Sequence, residues 1–580
     1  MRGEIERIRV HASDRGPIHA DATVTFPLPV PPSHGDGALL RALRRRAQRV
    51  TVGGHRSEAP ALVVLALALA LLIGKAVGVA HYQAAILQYP FQLDDAEGVI
   101  LAEARMIAAG TNPYAYQPSP AHHFYAGPYT PLYTIINAAI VRIAGPTFAG
   151  GRAVQLLATL LVAAWIAWAI GRSARGHVAR LVGLWAALLF LTWHLVAHWG
   201  VMVRPDMTAL VWNLAGVALL RRWWGAPGRE AWRAASWPRG RTLGVLALGA
   251  GCFALGWWTK QTYVAVPLAF LLTLLPYRPK VAITLAGLYA AMVGLSLGTL
   301  TLLTAGGFIQ KTYLYQASWT WQAYVFLARP FAYRYGALPA LALLVALFIC
   351  IRQRRVTFGA CWLALTALKT LTAGTDGGNH NHFIELMAAS ALVAGTGVAT
   401  LVASAVARDE SCVAPDPTEV APPRPANRFG LAGLAIVVLL TGVAVGERDG
   451  RGSWLAWEYR LPTATERQGF ARMASYVANT AGPVYGDNAG LGLLVLAGHT
   501  ARVTDPFTLA AEVRQGRWDD SAVIADVAAG HYRLIALRGD VARMDPEHPP
   551  GDMTPGLIRA IRQRYHVVER NVVWLYVPNA

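Results

Sequence analysis

Two adjacent carboxylates offer the clearest chemistry in the chain. Asp94 and Asp95 stand in the segment QYPFQLDDAEGVI, between an apolar run and a helix-forming run. An acidic pair can supply a general base together with a partner that orients an acceptor or binds a metal ion. The structural alternative is a helix cap, in which an aspartate accepts hydrogen bonds from the first free amides of the helix. We take both residues as catalytic candidates and expect Asp94 to be the base.

Two further polar clusters stand between apolar runs. Arg204 and Asp206 lie in VMVRPDM, where the arginine is suited to hold a phosphate and the aspartate to position a substrate hydroxyl. Their alternative is an ion pair that locks the start of a helix. Lys260 and Gln261 lie in WWTKQTY, where a compact cation either binds a phosphate or extends along the membrane interface. We expect all four residues to contact substrate.

The segment GGNHNHFIE brings together His380, His382 and Glu385. These are three potential metal ligands, but the spacing of the two histidines is weak evidence and the asparagines can cap the next helix. We expect substrate contact and predict no metal-binding residues. The sequence holds no nucleotide-binding loop, zinc-protease helix or nucleophile elbow, and its four cysteines show no CxxC spacing. The cofactor therefore stays unknown, with a divalent cation left open.

Composition places these clusters in a membrane protein. Of the 580 residues, 54% are hydrophobic and 15% charged, whereas soluble domains are about 25% charged. Several apolar runs exceed the ~18 residues that a membrane-spanning helix needs. We predict about eleven spans, at residues 59–80, 153–171, 179–197, 207–221, 242–258, 262–277, 281–304, 336–351, 358–373, 384–405 and 429–446.

The basic residues indicate the orientation of these spans. The net charge is +19, and with the N-terminus inside most arginines fall in cytoplasmic connections. Three alternate connections hold only Arg204, only Lys260, or no basic residue. Topology thus explains the arginines without nucleic-acid binding. The polar clusters map to the outer ends of helices, where we expect one site, because ionisable groups at membrane depth are usually functional.

The predicted fold is an all-α polytopic membrane protein with a small extracytoplasmic α/β domain at its C-terminus. The parts are a cytoplasmic, largely disordered, Arg-rich N-terminus at 1–58, a transmembrane catalytic domain at 59–405 with an outer loop at 81–152, a Pro-rich cytoplasmic linker at 406–428, a last transmembrane helix at 429–446, and the α/β domain at 447–580. Residues 131–144 are too short to cross a bilayer and are predicted to lie at its interface. The aromatic segment 313–335 is predicted to be an interfacial loop.

This arrangement resembles the GT-C glycosyltransferases, in particular the protein O-mannosyltransferases, the aminoarabinose transferases and the bacterial Rgt-like glycosyltransferases. The matching segments are LDDAEG at 93–98, GPYTPLYTIINAAIVRIAG at 127–145, GGRAVQLLATLL at 150–161, VRPDM at 203–207 and NHNHFIE at 379–385. The resemblance covers approximately residues 60–400.

The resemblance implies a multi-pass enzyme of the plasma membrane that moves a sugar, with inversion, from a polyprenyl-phosphate donor to a lipid, glycan or protein acceptor on the outer face. By position, Asp94 would be the base, and Asp95 stands where the family often has glutamate. Arg152, which opens the second span, would lie near the donor phosphate, and Asp206 matches a second acidic position of some members. Lys260 is a candidate phosphate ligand from its charge and face alone.

Two alternatives remain. A transporter or a flippase for lipid-linked sugars would use the outer clusters to bind a solute, and would move it without making a covalent product. Few ionisable residues fall within the predicted spans, with Lys75 and Lys369 the main exceptions, which disfavours that interpretation. The other alternative is an inactive relative that acts as an assembly partner through residues 447–580.

Overall fold

The computed structural model describes residues 54–173, 176–221, 237–315, 318–375, 377–410, 428–447 and 461–580. The predicted N-terminal segment up to residue 53 and residues 411–427 of the predicted linker lie outside this part of the chain.

The regular secondary structure of the described chain up to residue 447 consists of helices. In order, α1 to α15 are Gly54–Gln88, Asp95–Ala108, Leu132–Ala144, Phe148–Gly171, His177–Thr192, His194–Trp199, Asp206–Leu219, Arg241–Thr259, Ala265–Leu274, Pro279–Leu303, Trp321–Tyr335, Ala337–Gln353, Phe358–Lys369, Ile384–Glu410 and Arg428–Gly446. Shorter turns of helix are Gly307–Ile309, Gln310–Leu314, Thr370–Gly374 and His380–Phe383. All eleven predicted spans fall on helices, and the largest difference in length is at α1, which runs to Gln88 rather than to residue 80.

The helices are those of a polytopic membrane protein. Among the described residues, five helices are long and apolar enough to cross a membrane, namely those at Ala61–Gln88, Phe148–Gly171, Arg241–Thr259, Pro279–Leu303 and His380–Val402. Helices α11 and α12 meet at 77° and add a sixth if they form one broken span. The remaining apolar helices have 10–17 residues, so helix length does not establish the predicted count of eleven.

The aromatic segment predicted to be a loop is mostly helical. Its N-terminal part forms the turn Gln310–Leu314, and its C-terminal part is α11, which Thr320 caps through a hydrogen bond from Ala323 N. Pro330 lies inside α11, and Gly336 joins α11 to α12 at the sharp bend. The prediction was wrong because aromatic side chains are typical of both interfacial loops and interfacial helices.

Helix α14 is the central helix of the bundle. Within the span His380–Val402, 89% of an 18-residue apolar stretch is buried, and the helix packs against α4, α5, α12, α13 and α15. Glycines permit this close packing, as in many membrane helices. A Cβ at Gly395 would lie 2.4 Å from Ile170, and one at Gly397 would lie 2.2 Å from Val345. Helix α14 therefore packs closely against α4 at Gly395 and against α12 at Gly397.

Residues 461–580 form an α/β domain, as predicted. Its elements are α16 Ala464–Ala478, β1 Val484–Gly486, α17 Asn488–Leu496, α18 Pro506–Arg514, α19 Ser521–Ala528, β2 Leu534–Leu537, α20 Pro555–Arg564, β3 Tyr565–Arg570 and β4 Trp574–Pro578. The sheet has the order β1-β2-β4-β3, with β1 and β2 parallel and the other pairs antiparallel. Strand β2 is buried along its whole length.

The C-terminal domain packs directly on residues 89–147. Helix α17 lies against α2 so closely that a Cβ at Gly98 would be 3.0 Å from the main-chain nitrogen of Gly492. Phe124 also forms an isolated parallel bridge with Val503. We call the end of the bundle that carries these contacts the domain face, and the other end the opposite face.

Candidate active site

Asp94 caps α2 and binds an arginine at the same time. Its Oδ2 accepts a hydrogen bond from Ala96 N at 3.1 Å. Arg204 donates from Nε to Oδ2 and from Nη2 to Oδ1, both at 2.8 Å. The guanidinium also lies over the Trp199 ring, 4.9 Å from its centroid. Both the cap and the ion pair anticipated as structural alternatives are therefore present, and Arg204 occupies both oxygens of Asp94.

Asp95 has a different partner, which comes from the C-terminal domain. Arg538, directly after β2, donates from Nη2 to Oδ1 of Asp95 at 2.5 Å. The side chain of Asp95 is 48% exposed and that of Arg538 is 54% exposed. Among the described residues, no second hydrogen bond holds the guanidinium of Arg538 or the other oxygen of Asp95, so both groups have capacity to bind a ligand.

Asp94, Asp95 and Arg538 line a cavity of about 330 Å³ between the bundle and the C-terminal domain. The bundle side contributes Ile86, Tyr89, Gln92, Leu93, His198, Trp199, Met202 and Asn379, and the domain side contributes Pro462, Glu466, Phe470, Ala489, Val572 and Val573. The volume lies in the range of small-molecule sites, and apolar walls with a few convergent polar groups are typical of them.

Arg152 is fully buried, and all five of its N–H groups are used. It binds Glu97 through Nε and Nη2, at 2.9 and 2.6 Å. Its other N–H groups donate to the carbonyl oxygens of Ile86, Tyr89 and Phe91. The geometry therefore argues against the predicted place of Arg152 beside a donor phosphate, because no N–H group is left for one. Arg152 instead anchors the chain after α1 to the start of α4.

Asp206 is the centre of a buried network beside the cavity. Its Oδ1 accepts from Lys260 Nζ at 2.7 Å and from Tyr263 Oη at 3.0 Å. Asn381 Nδ2 donates to both oxygens, at 3.2 and 3.1 Å. The side chains of Asp206 and Lys260 are only 1% and 5% exposed, and neither lines the cavity. Lys260 is thus paired with Asp206. Because its side chain does not reach the cavity, it is not placed to bind a phosphate there.

Glu385 and Lys369 extend this network. Lys369 Nζ lies 2.6 Å from Glu385 Oε2, and Trp362 Nε1 donates to Oε1 of Glu385 at 3.0 Å. The same ammonium lies 3.3 Å from the centroid of the Tyr263 ring. Lys369, a predicted exception within a span, therefore belongs to a polar network at the domain face, and Glu385 is fully buried in it.

Tyr129 lies near the charges of both ion pairs. Lys260 Nζ lies 5.6 Å from the centroid of its ring. Burial raises the pKa of Tyr129 to about 12, with Arg204, Asp206 and Asp94 acting on its hydroxyl as nearby charges. The predicted polar clusters around Asp94, Asp206 and Lys260 thus lie together on the domain face, although only the first reaches the cavity.

Gln261 forms a hydrogen bond with the loop at residues 128–130. Its Nε2 donates to the carbonyl oxygen of Pro128 at 3.0 Å, and nearby Thr130 Oγ1 donates to that of Trp257 at 2.8 Å. In this structure Gln261 therefore holds residues 128–130 against the end of α8 and does not line the cavity.

The two histidines have different surroundings. His382 Nδ1 lies 2.7 Å from Thr372 Oγ1, while His380 is fully buried and its ring lies 6.1 Å from that of Phe383. Neither lines the cavity, which Asn379 of the same segment reaches. Within the described ranges, no group of three His, Cys, Asp or Glu residues is arranged to hold a metal ion.

Sequence reasoning missed Arg538 and Glu97. Arg538 directly follows the strand run in YRLIALRG, and a charge at a strand end was the available signal. Glu97 stands in LDDAEG, one helical turn after Asp94. Neither signal was sufficient, because both roles depend on partners far away in the sequence: 443 positions separate Arg538 from Asp95, and 55 separate Arg152 from Glu97.

Sequence comparisons identify no relatives: no protein-family model and no curated protein matches the chain. Solved structures do match. ArnT from Cupriavidus metallidurans in the apo state aligns with a TM-score of 0.54 and 13% identity, over 88% of this chain and 97% of that chain. ArnT bound to undecaprenyl phosphate aligns with a TM-score of 0.52 and 13% identity, over 90% of this chain and 98% of that chain.

The chain therefore has the fold of ArnT, which confirms the predicted fold class of a polytopic helical bundle with a small C-terminal α/β domain. Residues 60–400 make up less than two thirds of the chain, so an alignment over 90% of it extends beyond the predicted region of resemblance.

Proposed function

We propose that this chain is a membrane glycosyltransferase that moves a sugar from a polyprenyl-phosphate donor to an acceptor on the extracytoplasmic face. One observation carries the proposal: two adjacent carboxylates, Asp94 and Asp95, line a cavity at the domain face of a bundle with the fold of ArnT. The undecaprenyl phosphate bound to ArnT supports the proposed carrier class. The domain face is then the extracytoplasmic one, in agreement with the charge distribution of the connections.

The reaction is a single displacement at the anomeric carbon. A carboxylate takes the proton of the acceptor hydroxyl while the oxygen forms a bond to the anomeric carbon. The bond between that carbon and the phosphate oxygen breaks, and polyprenyl phosphate leaves with the bonding pair. Attack from the face opposite to the leaving group inverts the anomeric configuration. The step needs a base and cations that stabilise the leaving phosphate.

Asp94 is the proposed base, and Arg204 controls it. In the structure Arg204 donates hydrogen bonds to both oxygens of Asp94, so the carboxylate is engaged with the guanidinium and not with an acceptor hydroxyl. Arginine binds phosphate in the same bidentate way as carboxylate. Arg204 does not line the cavity in this structure, so its guanidinium has to move past Asp94 to bind a donor phosphate, and this movement releases Asp94 for the acceptor proton. Activation of the base is thereby coupled to the presence of donor.

Arg538 is the second proposed phosphate ligand. It lines the cavity, is half exposed, and uses one N–H group on Asp95. Asp95 orients the acceptor and keeps Arg538 in place. Lys260 and Asp206 do not contact the donor in this proposal. Together with Tyr263 and Asn381 they form the buried hydrogen-bonded network beside the site.

The test is sugar transfer by the purified protein in lipid nanodiscs. The donors are a panel of labelled hexoses and pentoses on polyprenyl phosphate, and the acceptors are extracts of the cell envelope. Asp94→Asn should abolish release of polyprenyl phosphate while folding is retained, because the amide cannot accept the proton. Asp545→Asn, which changes an exposed acid away from the cavity, is the matched control and should keep full activity.

Arg538→Gln separates donor binding from chemistry. It should raise the donor KM more than it lowers kcat, by about tenfold for the loss of one charge-assisted contact. Arg538→Lys should recover part of that loss. Full activity of Asp94→Asn, or movement of an intact solute across the bilayer without a covalent product, would contradict the proposal and favour a transporter.

A further inference from the structure

A second cavity of the described chain lies away from the candidate active site. It has a volume of about 620 Å³ and opens at the opposite face. Helix α14 relates the two places: Glu385 belongs to the polar network at its first turn, whereas Leu392, Thr396 and Thr400 line the cavity further along. The rise of 1.5 Å per residue puts Leu392 about 10 Å below Glu385. The two cavities share no lining residue.

Three arginines converge on this cavity. Arg172 and Arg221, from the ends of α4 and α7, approach the same indole: their Cζ atoms lie 6.0 and 5.9 Å from the Trp168 ring centroid. The third, Arg355, donates from Nε to Gln353 Oε1 at 3.0 Å. No acidic residue lines the cavity, and none of the described acids pairs with these guanidinium groups. Three cations around one opening attract an anion.

One part of the cavity wall is apolar. Phe270, Leu274, Ile349, Leu392 and Val393 line it between the helices. The threonine hydroxyls near these walls bond to the carbonyl oxygens of their own helices, as Thr273 does to Ala269 and Thr396 does to Leu392. The cationic end therefore suits a phosphate, while the apolar part suits a hydrocarbon chain and excludes a fully polar ligand.

We propose that this cavity binds an anionic membrane lipid, with the phosphate headgroup between Arg172, Arg221 and Arg355 and part of a chain along the apolar walls. The positive-inside rule accounts for arginines in connections on this side. It does not account for two of them approaching one tryptophan at the mouth of a 620 Å³ cavity. The site is separate from the proposed donor site, since it lies at the other end of the bundle, and it does not depend on glycosyl transfer.

The test uses native mass spectrometry of the full-length protein after delipidation in detergent. The probes are phosphatidylglycerol, phosphatidylcholine with the same acyl chains, and inorganic phosphate. Wild-type protein should bind one phosphatidylglycerol more tightly than phosphatidylcholine, and the Arg172→Gln/Arg221→Gln variant should bind it about tenfold more weakly. The control, Arg239→Gln/Arg241→Gln, removes two exposed arginines at the start of α8 on the same face and should bind as wild type does.

A second variant keeps the charges and fills the space. Thr396→Phe places a ring in the cavity, so it should also weaken binding of phosphatidylglycerol while all three arginines remain. Equal binding by wild type, Arg172→Gln/Arg221→Gln and Thr396→Phe would overturn the proposal. Inorganic phosphate binding as tightly as phosphatidylglycerol would overturn the lipid assignment, because the hydrocarbon chain would then contribute nothing.

Discussion

At the scale of residues, Asp94 and Asp95 show how far side-chain type and spacing support a prediction. Their adjacency, between an apolar run and a helix-forming run, was enough to select both. Their partners were not predictable as such, because Arg204 and Arg538 lie 110 and 443 positions away in the chain. For Arg152, the sequence shows an arginine that opens a span, but not the buried glutamate and carbonyl oxygens that use all of its N–H groups.

The anchoring role of Arg152 leads to a prediction. Arg152→Met should lower the free energy of unfolding by about 3–5 kcal/mol, because Glu97 is left buried without its counter-charge. Thermal unfolding in detergent measures this effect, and Arg142→Met, at an exposed arginine of α3, is the control. A variant of unchanged stability that had lost sugar transfer would contradict the anchor and return Arg152 to the donor phosphate.

At the scale of elements, hydrophobic runs predicted the positions of the helices well, but not how many of them are long enough to cross a membrane. The eleven predicted runs are all helical, since a long apolar segment has few other ways to satisfy its backbone in a membrane. Helix α11 was missed because its composition is aromatic and mixed. The close approach of α2 and α17 was also not predictable, because it depends on glycines in two segments 394 positions apart, Gly98 and Gly492.

This close approach predicts opposite effects for two glycine substitutions. In Gly98→Ala the new methyl would lie 2.3 Å from Gln92 Oε1 and 3.0 Å from Gly492 N, so the helices must separate. We expect a loss of about 1–3 kcal/mol and faster proteolysis of the C-terminal domain. The control is Gly74→Ala in α1, where no atom lies within 4 Å and alanine favours the helix. Equal effects of the two substitutions would argue against the packing constraint.

At the scale of the whole molecule, the C-terminal domain is part of the site. Residues 447–580 were predicted as an attachment with no assigned role, whereas residues 461–580 supply seven lining residues of the 330 Å³ cavity, including Phe470 and Arg538. A composition change along the chain indicates where a domain begins, but which surface it covers is determined by packing of distant segments. The net charge of +19 similarly indicated an orientation, but not that three of the arginines surround a cavity.

The stability of the molecule should depend on pH through Glu103 and Lys311. Burial raises the pKa of Glu103 to about 8 from 4.5, so the folded chain retains a proton that the unfolded chain has released, and stability falls as pH rises across that interval. Burial lowers the pKa of Lys311 to about 7 from 10.5, which makes stability rise with pH above 7. The two effects together give a minimum of stability near pH 7–8.

Glu103→Gln should flatten the fall between pH 5 and pH 8, which amounts to a few kcal/mol at about 1.4 kcal/mol per unit of pKa shift. Melting temperatures measured from pH 5 to pH 9 test this prediction, with the exposed Glu547→Gln as the control. Parallel profiles for wild type and Glu103→Gln would contradict the assignment of the pH dependence to this buried carboxyl.

The pairing of Asp95 with Arg538 has a consequence for biosynthesis. These two walls of the cavity are 443 residues apart, and a chain grows at about 5–20 residues per second. For about 20 to 90 s, a nascent chain can therefore have its first carboxylates in place without Arg538, which lines the other side of the cavity. The cavity becomes complete only after the final strands have folded, so a truncated or stalled chain lacks Arg538 and the other six cavity residues of the C-terminal domain, and we expect it to hold the proposed donor more weakly.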